Sequence, residues 1–154
     1  MAAISSTVDA DRSRTTLVDP RAPRFGQALT ASGLLLSVVF GLPTLVYLVT
    51  AVLLTALLTR WQYDPYALLW RILVQPAIGR PADPEPATPH RFAKLLGAVG
   101  TSLASLLLLL GAPTPGYAVA GIVAAAAGLA AVTGLCIGCR LYRQVSFFQR
   151  YAVL

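Results

Sequence analysis

The chain has 154 residues, of which 56% are hydrophobic and 12% charged, and its mean hydropathy is +0.70. Soluble domains carry about 25% charged residues, so this composition excludes an ordinary soluble fold and indicates a protein that uses the lipid bilayer as its solvent. The net charge of +6 lies in blocks at the edges of apolar runs, which is typical of membrane proteins and argues against nucleic acid as the partner.

The first 20 residues are expected to form a disordered cytoplasmic tail. They contain Asp9, Asp11, Arg12 and Arg14 and lack the apolar run of a signal peptide, so no signal peptide is expected. Residues 21–154 are predicted to form a single transmembrane domain, a length that suits one compact unit.

Four apolar runs predict an all-α membrane protein with four short transmembrane helices. A spanning helix needs about 20 residues, and the first two runs are near the short limit. Glycine and proline in Gly41-Leu42-Pro43 and in 111–116 end one helix and begin the next, which makes two tandem hairpins. The predicted spans are about 26–41, 43–59, 92–110 and 117–139.

The two hairpins resemble each other, which indicates a parallel repeat. Arg24-Phe25-Gly26-Gln27 precedes the first and Arg91-Phe92-Ala93-Lys94 precedes the second, and Gly41-Leu42-Pro43 corresponds to Gly111-Ala112-Pro113. Each copy would contain two spans and therefore enter the membrane from the same side.

The basic residues predict the orientation. All 12 lie outside the two hairpin turns, and positive charge stays in the cytoplasm. We therefore expect a multi-pass protein of the inner (plasma) membrane with both termini in the cytoplasm.

Two further cytoplasmic segments are predicted at the membrane surface. Residues 61–75 are rich in aromatic side chains and should form an interfacial helix with Asp64 as N-cap and Pro65 in its first turn. Residues 76–89 contain five prolines and should form an extended linker. Residues 140–154 mix arginine with aromatic residues and predict a C-terminal surface helix.

Cys136 and Cys139 form a Cys-x-x-Cys pair at the cytoplasmic end of the fourth predicted span. The spacing puts both sulfurs on one helix face, and it is also the spacing of dithiol oxidoreductases. Because the cytosol keeps thiols reduced, the pair is interpreted as a working dithiol rather than a permanent disulfide. Arg140 is a candidate stabiliser of the thiolate. The dipole of a continuous fourth helix would oppose that effect, whereas a break at Gly134 with a new helix at Cys136 would reverse the dipole.

Two other interpretations of the cysteines stay open. They could simply pack as small apolar side chains in the bundle. They could also bind a metal together with His90, although such a site would need a further ligand, for example Asp64 or a second chain. No cofactor is expected, because the sequence has neither a P-loop nor a Gly-x-Gly-x-x-Gly motif.

Four segments together resemble the bacterial domain-of-unknown-function family 4395, over roughly residues 18–145. They are the opening segment 18–27, Tyr63-Asp64-Pro65-Tyr66, the Pro-rich linker ending in Arg91-Phe92-Ala93, and the closing segment 133–139. The resemblance implies a small polytopic inner-membrane protein without an assigned activity, accompanied by thioredoxin-like and rhodanese-type proteins. It also leads us to expect an acidic residue after the second cysteine, where this chain has Arg140.

The leading hypothesis is a membrane-embedded dithiol that exchanges electrons or sulfur with a cytosolic thioredoxin-like or rhodanese-type protein. The alternative is a non-catalytic scaffold or assembly subunit of a larger complex. A third interpretation is a permeation path for a small neutral molecule, for which four short spans leave little room. Small residues at helical spacing, Gly121, Ala125 and Gly128, would also permit a homo-oligomer.

Overall fold

The computed structural model describes residues 17–79, 85–86 and 88–152, apart from the side chains of Leu17, Glu85, Pro86, Thr88, Cys139 and Arg150. Most of the predicted tail, residues 1–16, therefore lies outside the described part. The described chain is helical except for one antiparallel pair of two-residue strands. The elements are β1 (Leu17–Val18), α1 (Arg21–Phe40), α2 (Pro43–Leu58), α3 (Pro65–Leu69), a π-helical turn (Trp70–Val74), α4 (Gln75–Ile78), β2 (Glu85–Pro86), α5 (Thr88–Leu109), α6 (Pro113–Thr133) and α7 (Ile137–Ala152).

Four long helices form an up-down-up-down bundle. Helix α1 packs on α2, α2 on α5, α5 on α6, and α6 returns to pack extensively on α1. The fully buried Leu34 and Val46 belong to the apolar core between them. We call the end at which α1 and α5 begin the basic end, because the first two turns of these helices contain Arg21, Arg24, Arg91 and Lys94.

The two hairpin turns at the opposite end share one geometry. Gly41 and Gly111 follow the ends of α1 and α5 with φ angles of 63° and 79°, a left-handed conformation that glycine adopts without a steric penalty. A proline then opens the next helix in both hairpins. The residue after each glycine donates its backbone N–H to a carbonyl five residues earlier, Leu42 to Ser37 at 3.0 Å and Ala112 to Leu107 at 2.9 Å.

A polar contact joins α2 to α5 inside the bundle. The buried hydroxyl of Thr50 lies 2.8 Å from the hydroxyl of Ser105 and 3.0 Å from the carbonyl oxygen of Thr101, to which it can donate. Since buried hydroxyls are costly without partners, these contacts fix how the two helices face each other.

Two helical segments, Pro89–Leu109 and Pro113–Thr133, are long and apolar enough to cross a membrane, and Pro43–Leu58 is apolar but shorter. In the most apolar stretch of each long segment, only 17% of the residues of Pro89–Leu109 and 22% of those of Pro113–Thr133 are buried inside the protein. Large apolar side chains therefore cover the outside of the bundle as well as its core, including Leu35, Val39, Leu48, Leu109 and Val132.

Several predicted boundaries need correction. The fourth helix does not run over 117–139, because α6 ends at Thr133 and a separate helix, α7, begins at Ile137. Gly134 causes the break, since its φ of 71° places it in the left-handed conformation at the end of α6. The first helix begins at Arg21 rather than at 26, and the third begins at Thr88 rather than at 92.

The segment between the hairpins matches its prediction only in part. Residues 61–75 do contain a helix that begins at Pro65, with Asp64 as its N-cap. The predicted extended linker 76–89 is wrong at both ends, because 75–78 and 88–89 are helical, and Glu85–Pro86 pairs with Leu17–Val18. Residues 80–84 and 87 lie outside the described part.

Candidate functional site

Cys136 lies at the break between α6 and α7. Its backbone carbonyl accepts a hydrogen bond from the backbone N–H of Arg140 at 3.0 Å, which makes Cys136 the N-cap residue of α7. The preceding turn is closed by the Leu135 backbone N–H, which donates to the Thr133 hydroxyl at 3.1 Å. Of the two alternatives that the sequence leaves open, the break at Gly134 is the one present, and the positive end of the α7 dipole faces Cys136.

The Cys136 thiol is half-buried and has a polar neighbour on α1. The side-chain amide of Gln27 donates to its Sγ atom at 3.6 Å. Gln27 lies in the second turn of α1, and this contact links the first helix of the bundle to the start of the last one. The thiol therefore faces α1 across the end of the bundle.

The start of α7 is pressed against the start of α5. A Cβ atom on Gly138 would lie 2.8 Å from the Cα atom of Ala93, so only glycine permits this approach of the two backbones. One turn further on, the rings of Tyr142 and Phe92 have centroids 5.6 Å apart. Gly138 therefore sets the distance at which α7, and with it the cysteine pair, docks on the bundle.

A cavity of about 220 Å³, which we call the Cys136 cavity, opens beside the thiol. It lies at the basic end between α1, α5, α6 and the start of α7, and α2 and α3 each contribute one residue, Leu53 and Tyr66. Its walls are mainly apolar. The polar side chains in its lining are Gln27, Thr30, Tyr66, His90, Lys94 and Cys136.

Tyr66 is the most buried of these polar side chains after Thr30, with 7% of its surface exposed. Its hydroxyl accepts a hydrogen bond from the Thr30 hydroxyl at 3.1 Å. Burial raises the pKa of Tyr66 above 10.0, the Asp64 carboxylate acts in the same direction, and the Thr30 hydrogen bond opposes them. Tyr66 is consequently a neutral phenol at physiological pH.

Asp64 and Lys94 form an ion pair beside Tyr66. The Lys94 ammonium donates to the Asp64 carboxylate, and the two side chains are 19% and 13% exposed. The other carboxylate oxygen caps α3 by accepting from the backbone N–H groups of Tyr66 at 3.1 Å and Ala67 at 3.4 Å. The Lys94 nitrogen also lies 5.9 Å from the centre of the Tyr66 ring. The lysine at the cavity is thus neutralised by a neighbouring acid.

The predicted site residues have different placements. Cys136 and His90 line the same cavity, whereas Arg140 is exposed and meets Cys136 through its backbone N–H. Cys139 lies in the first turn of α7, but its side chain is outside the described part. Among the described side chains, no three His, Cys, Asp or Glu residues lie together as metal ligands.

Gln27, Thr30 and the Asp64–Lys94 pair contribute to the site but were not predicted as site residues. Gln27 and Thr30 are three positions apart and share one face at the start of an apolar helix. Polar residues on one face of an apolar helix are a usable sequence signal. The contact of Gln27 with Cys136, which is 109 positions away, could not be read from that signal.

A family model described as "Domain of unknown function (DUF4395)" matches residues 18–146 of the chain. No curated protein and no solved structure matches the chain.

Proposed function

The chain belongs to the DUF4395 family, and we propose that it is a four-span inner-membrane protein with a cytoplasm-facing dithiol. In this proposal Cys136 and Cys139 exchange electrons or sulfane sulfur with a soluble thioredoxin-like or rhodanese-type partner. The observation that carries it is the position of Cys136, a half-buried thiol at the start of α7, oriented by Gln27 beside an apolar cavity.

The exposed apolar surface supports membrane insertion of the whole bundle. At about 1.5 Å per residue, the 21 residues of α6 extend about 31 Å, close to the ~30 Å hydrocarbon core. Helix α1 lies antiparallel along α6, and α2 lies along α5. If α5 and α6 cross the bilayer, α1 and α2 share their depth and cross it too. The identical turn geometry at Gly41 and Gly111 favours a parallel repeat of two such hairpins.

The distribution of charge supports a cytoplasmic location of the thiol. Arg60, Arg71, Arg91, Lys94 and Arg140 follow α2 or belong to helices at the basic end, whereas both hairpin turns lack basic residues. Positive charge is retained on the cytoplasmic side. A soluble partner would then reach Cys136 without crossing the bilayer.

The proposed electron exchange is a thiol–disulfide exchange in two steps. One thiolate of the pair attacks a sulfur of the partner's disulfide and forms a mixed disulfide, which releases one partner thiolate. The second cysteine then attacks the mixed disulfide and releases the reduced partner. Two electrons and two protons pass to the partner, and Cys136 becomes joined to Cys139. In sulfane sulfur transfer the same thiolate would attack the outer sulfur of a partner persulfide, which breaks the partner's S–S bond, forms a persulfide on the attacking cysteine and releases the partner thiolate.

Thiol labelling in membrane vesicles of known sidedness tests this proposal. A membrane-impermeant maleimide should label the protein from the cytoplasmic face, and prior oxidation by a thioredoxin disulfide should abolish labelling. Cys136→Ser and Cys139→Ser variants should each be labelled but should no longer be protected by that oxidation. Labelling that appears only after denaturation would identify the cysteines as packing residues and overturn the dithiol.

One observation favours the scaffold as a second candidate. Helix α7 exposes a row of large apolar side chains, including Val145, Phe147, Phe148 and Tyr151, that could bind a membrane partner as well as the lipid interface. A scaffold should be purified in mild detergent with stoichiometric membrane partners, and Cys136→Ser should not release them.

A further inference from the structure

The Cys136 cavity has the size and chemistry of a binding site for one ring. Its volume is about 220 Å³, and a cavity of about 150 Å³ with apolar walls binds benzene. A single six-membered ring with small substituents therefore fits. Two lining side chains, Leu96 and Ile122, are 41% and 69% exposed, so the cavity reaches the outer surface of the bundle and a ligand tail could extend outward.

The polar groups favour a neutral ligand with hydrogen-bond acceptors. The lysine that lines the cavity is paired with Asp64, and the buried Tyr66 is a neutral phenol, so an anionic headgroup would find its main cation already occupied. Thr30 donates to the Tyr66 oxygen, which leaves the Tyr66 hydroxyl proton to be donated. None of the residues that the structure describes accepts that proton. An acyl chain could fill the apolar walls but could not accept it.

We propose that this cavity binds the ring of a lipid-soluble quinone, which accepts two electrons from the Cys136 and Cys139 dithiol. This step rests on the dithiol function proposed above. The Tyr66 hydroxyl donates a hydrogen bond to one quinone carbonyl and keeps its proton, and the apolar walls hold the ring next to the Cys136 sulfur. One S–S bond forms, two S–H bonds break, and two electrons and two protons convert the quinone to the quinol. The membrane pool of quinone would thereby oxidise the dithiol, and a reduced soluble partner would regenerate it by the reverse of the thiol–disulfide exchange described above.

Binding is measured first, separately from electron transfer. The protein with Cys136→Ser and Cys139→Ser, in nanodiscs of a single phosphatidylcholine, is titrated calorimetrically with a short-chain ubiquinone. We expect saturable binding of one quinone per chain. Ala127→Phe, which fills the cavity, should abolish it, whereas Ala125→Phe, on an exposed face of the same helix, should leave it unchanged. Tyr66→Phe should weaken binding about fivefold to tenfold, the value of one buried hydrogen bond.

Electron transfer is measured next with the reduced native protein. Addition of the same quinone should consume two thiols per chain and form one quinol, and Ala127→Phe should slow this reaction at least tenfold relative to Ala125→Phe. Equal heats for Ala127→Phe and Ala125→Phe would show only partition into lipid and would overturn the site. Bound quinone that leaves the thiols reduced, while a thioredoxin disulfide oxidises them, would overturn the quinone step and leave the dithiol function standing. Thiols that react with neither oxidant would overturn both.

Discussion

At the scale of single residues, the sequence motif predicts the thiol of the site but not the side chains that surround it. The Cys-x-x-Cys spacing singles out Cys136, and the structure adds that its thiol accepts a hydrogen bond from Gln27 and lines a cavity. The other polar side chains that line this cavity come from α1, α3 and α5. A spacing rule describes neighbours along the chain, whereas these contacts depend on how distant helices pack, so the sequence motif locates the thiol without its surroundings.

Tyr66 carries a residue-scale prediction about pH. Because burial and Asp64 raise the pKa of Tyr66 above 10.0 in the folded protein, the folded state keeps a proton that the unfolded state releases near pH 10. This contribution to stability is complete below pH 10 and is lost as the pH rises through the folded-state pKa. Ultraviolet titration of tyrosinate should show one late-ionising residue that is missing in Tyr66→Phe. A Tyr66→Phe variant with an unchanged titration curve would contradict it.

The Asp64–Lys94 pair can be separated from the helix cap that the same aspartate provides. Asp64→Asn keeps a good N-cap and removes the charge, so it should leave a partly buried ammonium unpaired and cost about 2 kcal/mol in reversible unfolding from mixed micelles. Asp64→Ala should cost about 1 kcal/mol more, because the N–H groups of Tyr66 and Ala67 also lose their acceptor. Equal costs for the two variants would show that the cap contributes nothing.

At the scale of elements, the sequence predicts helix boundaries well where they depend on local chemistry and poorly where they depend on packing. Glycine followed by proline correctly marks both hairpin turns, and Asp64-Pro65 correctly marks the start of α3. At the end of α6 the sequence permits both a continuous helix and a break at Gly134, because glycine does not always interrupt an apolar run. The Arg24 guanidinium lies against Gly134, with its Cζ atom 3.0 Å from where a Cβ would be. That long-range contact occupies the space beside Gly134, and the local sequence does not reveal it.

The docking of α7 on α5 gives an element-scale prediction. In Gly138→Ala the new methyl would overlap the backbone of Ala93, so α7 should shift away at a cost of about 1–3 kcal/mol. Cys136 should then react faster with an impermeant maleimide. Gly121→Ala is the matched control, since a Cβ at Gly121 meets nothing within 4 Å and alanine favours a helix by about 1 kcal/mol. A Gly138→Ala protein as stable and as slowly labelled as Gly121→Ala would contradict this close contact.

At the scale of the whole molecule, composition and hydropathy predict the helical class and the two hairpins, but not the order in which the helices neighbour each other. The ring α1–α2–α5–α6 depends on contacts between α1 and α6 and between α2 and α5, and many pairs of apolar helices could make such contacts equally well by hydrophobicity alone. Small and polar residues between the helices select which pairs pack against each other. Thr50, Thr101 and Ser105 join α2 to α5, and Gly128 comes close to Ala31 between α6 and α1.

The arrangement of α1, α2, α5 and α6 in this ring predicts that all four helices cross the membrane together. In a background with Cys136→Ser and Cys139→Ser, single cysteines replace the exposed Leu42 and Thr114 in the two turns and Gln144 on α7. Four spans require an impermeant maleimide to label Leu42→Cys and Thr114→Cys only from outside the cell and Gln144→Cys only from inside. If only α5 and α6 crossed, Leu42→Cys would be labelled from inside together with Gln144→Cys. The antiparallel contact of α1 along α6 would then have to break, because one helix could not lie in the cytoplasm and against the other throughout the bilayer. Labelling of Leu42→Cys therefore decides between two spans and four.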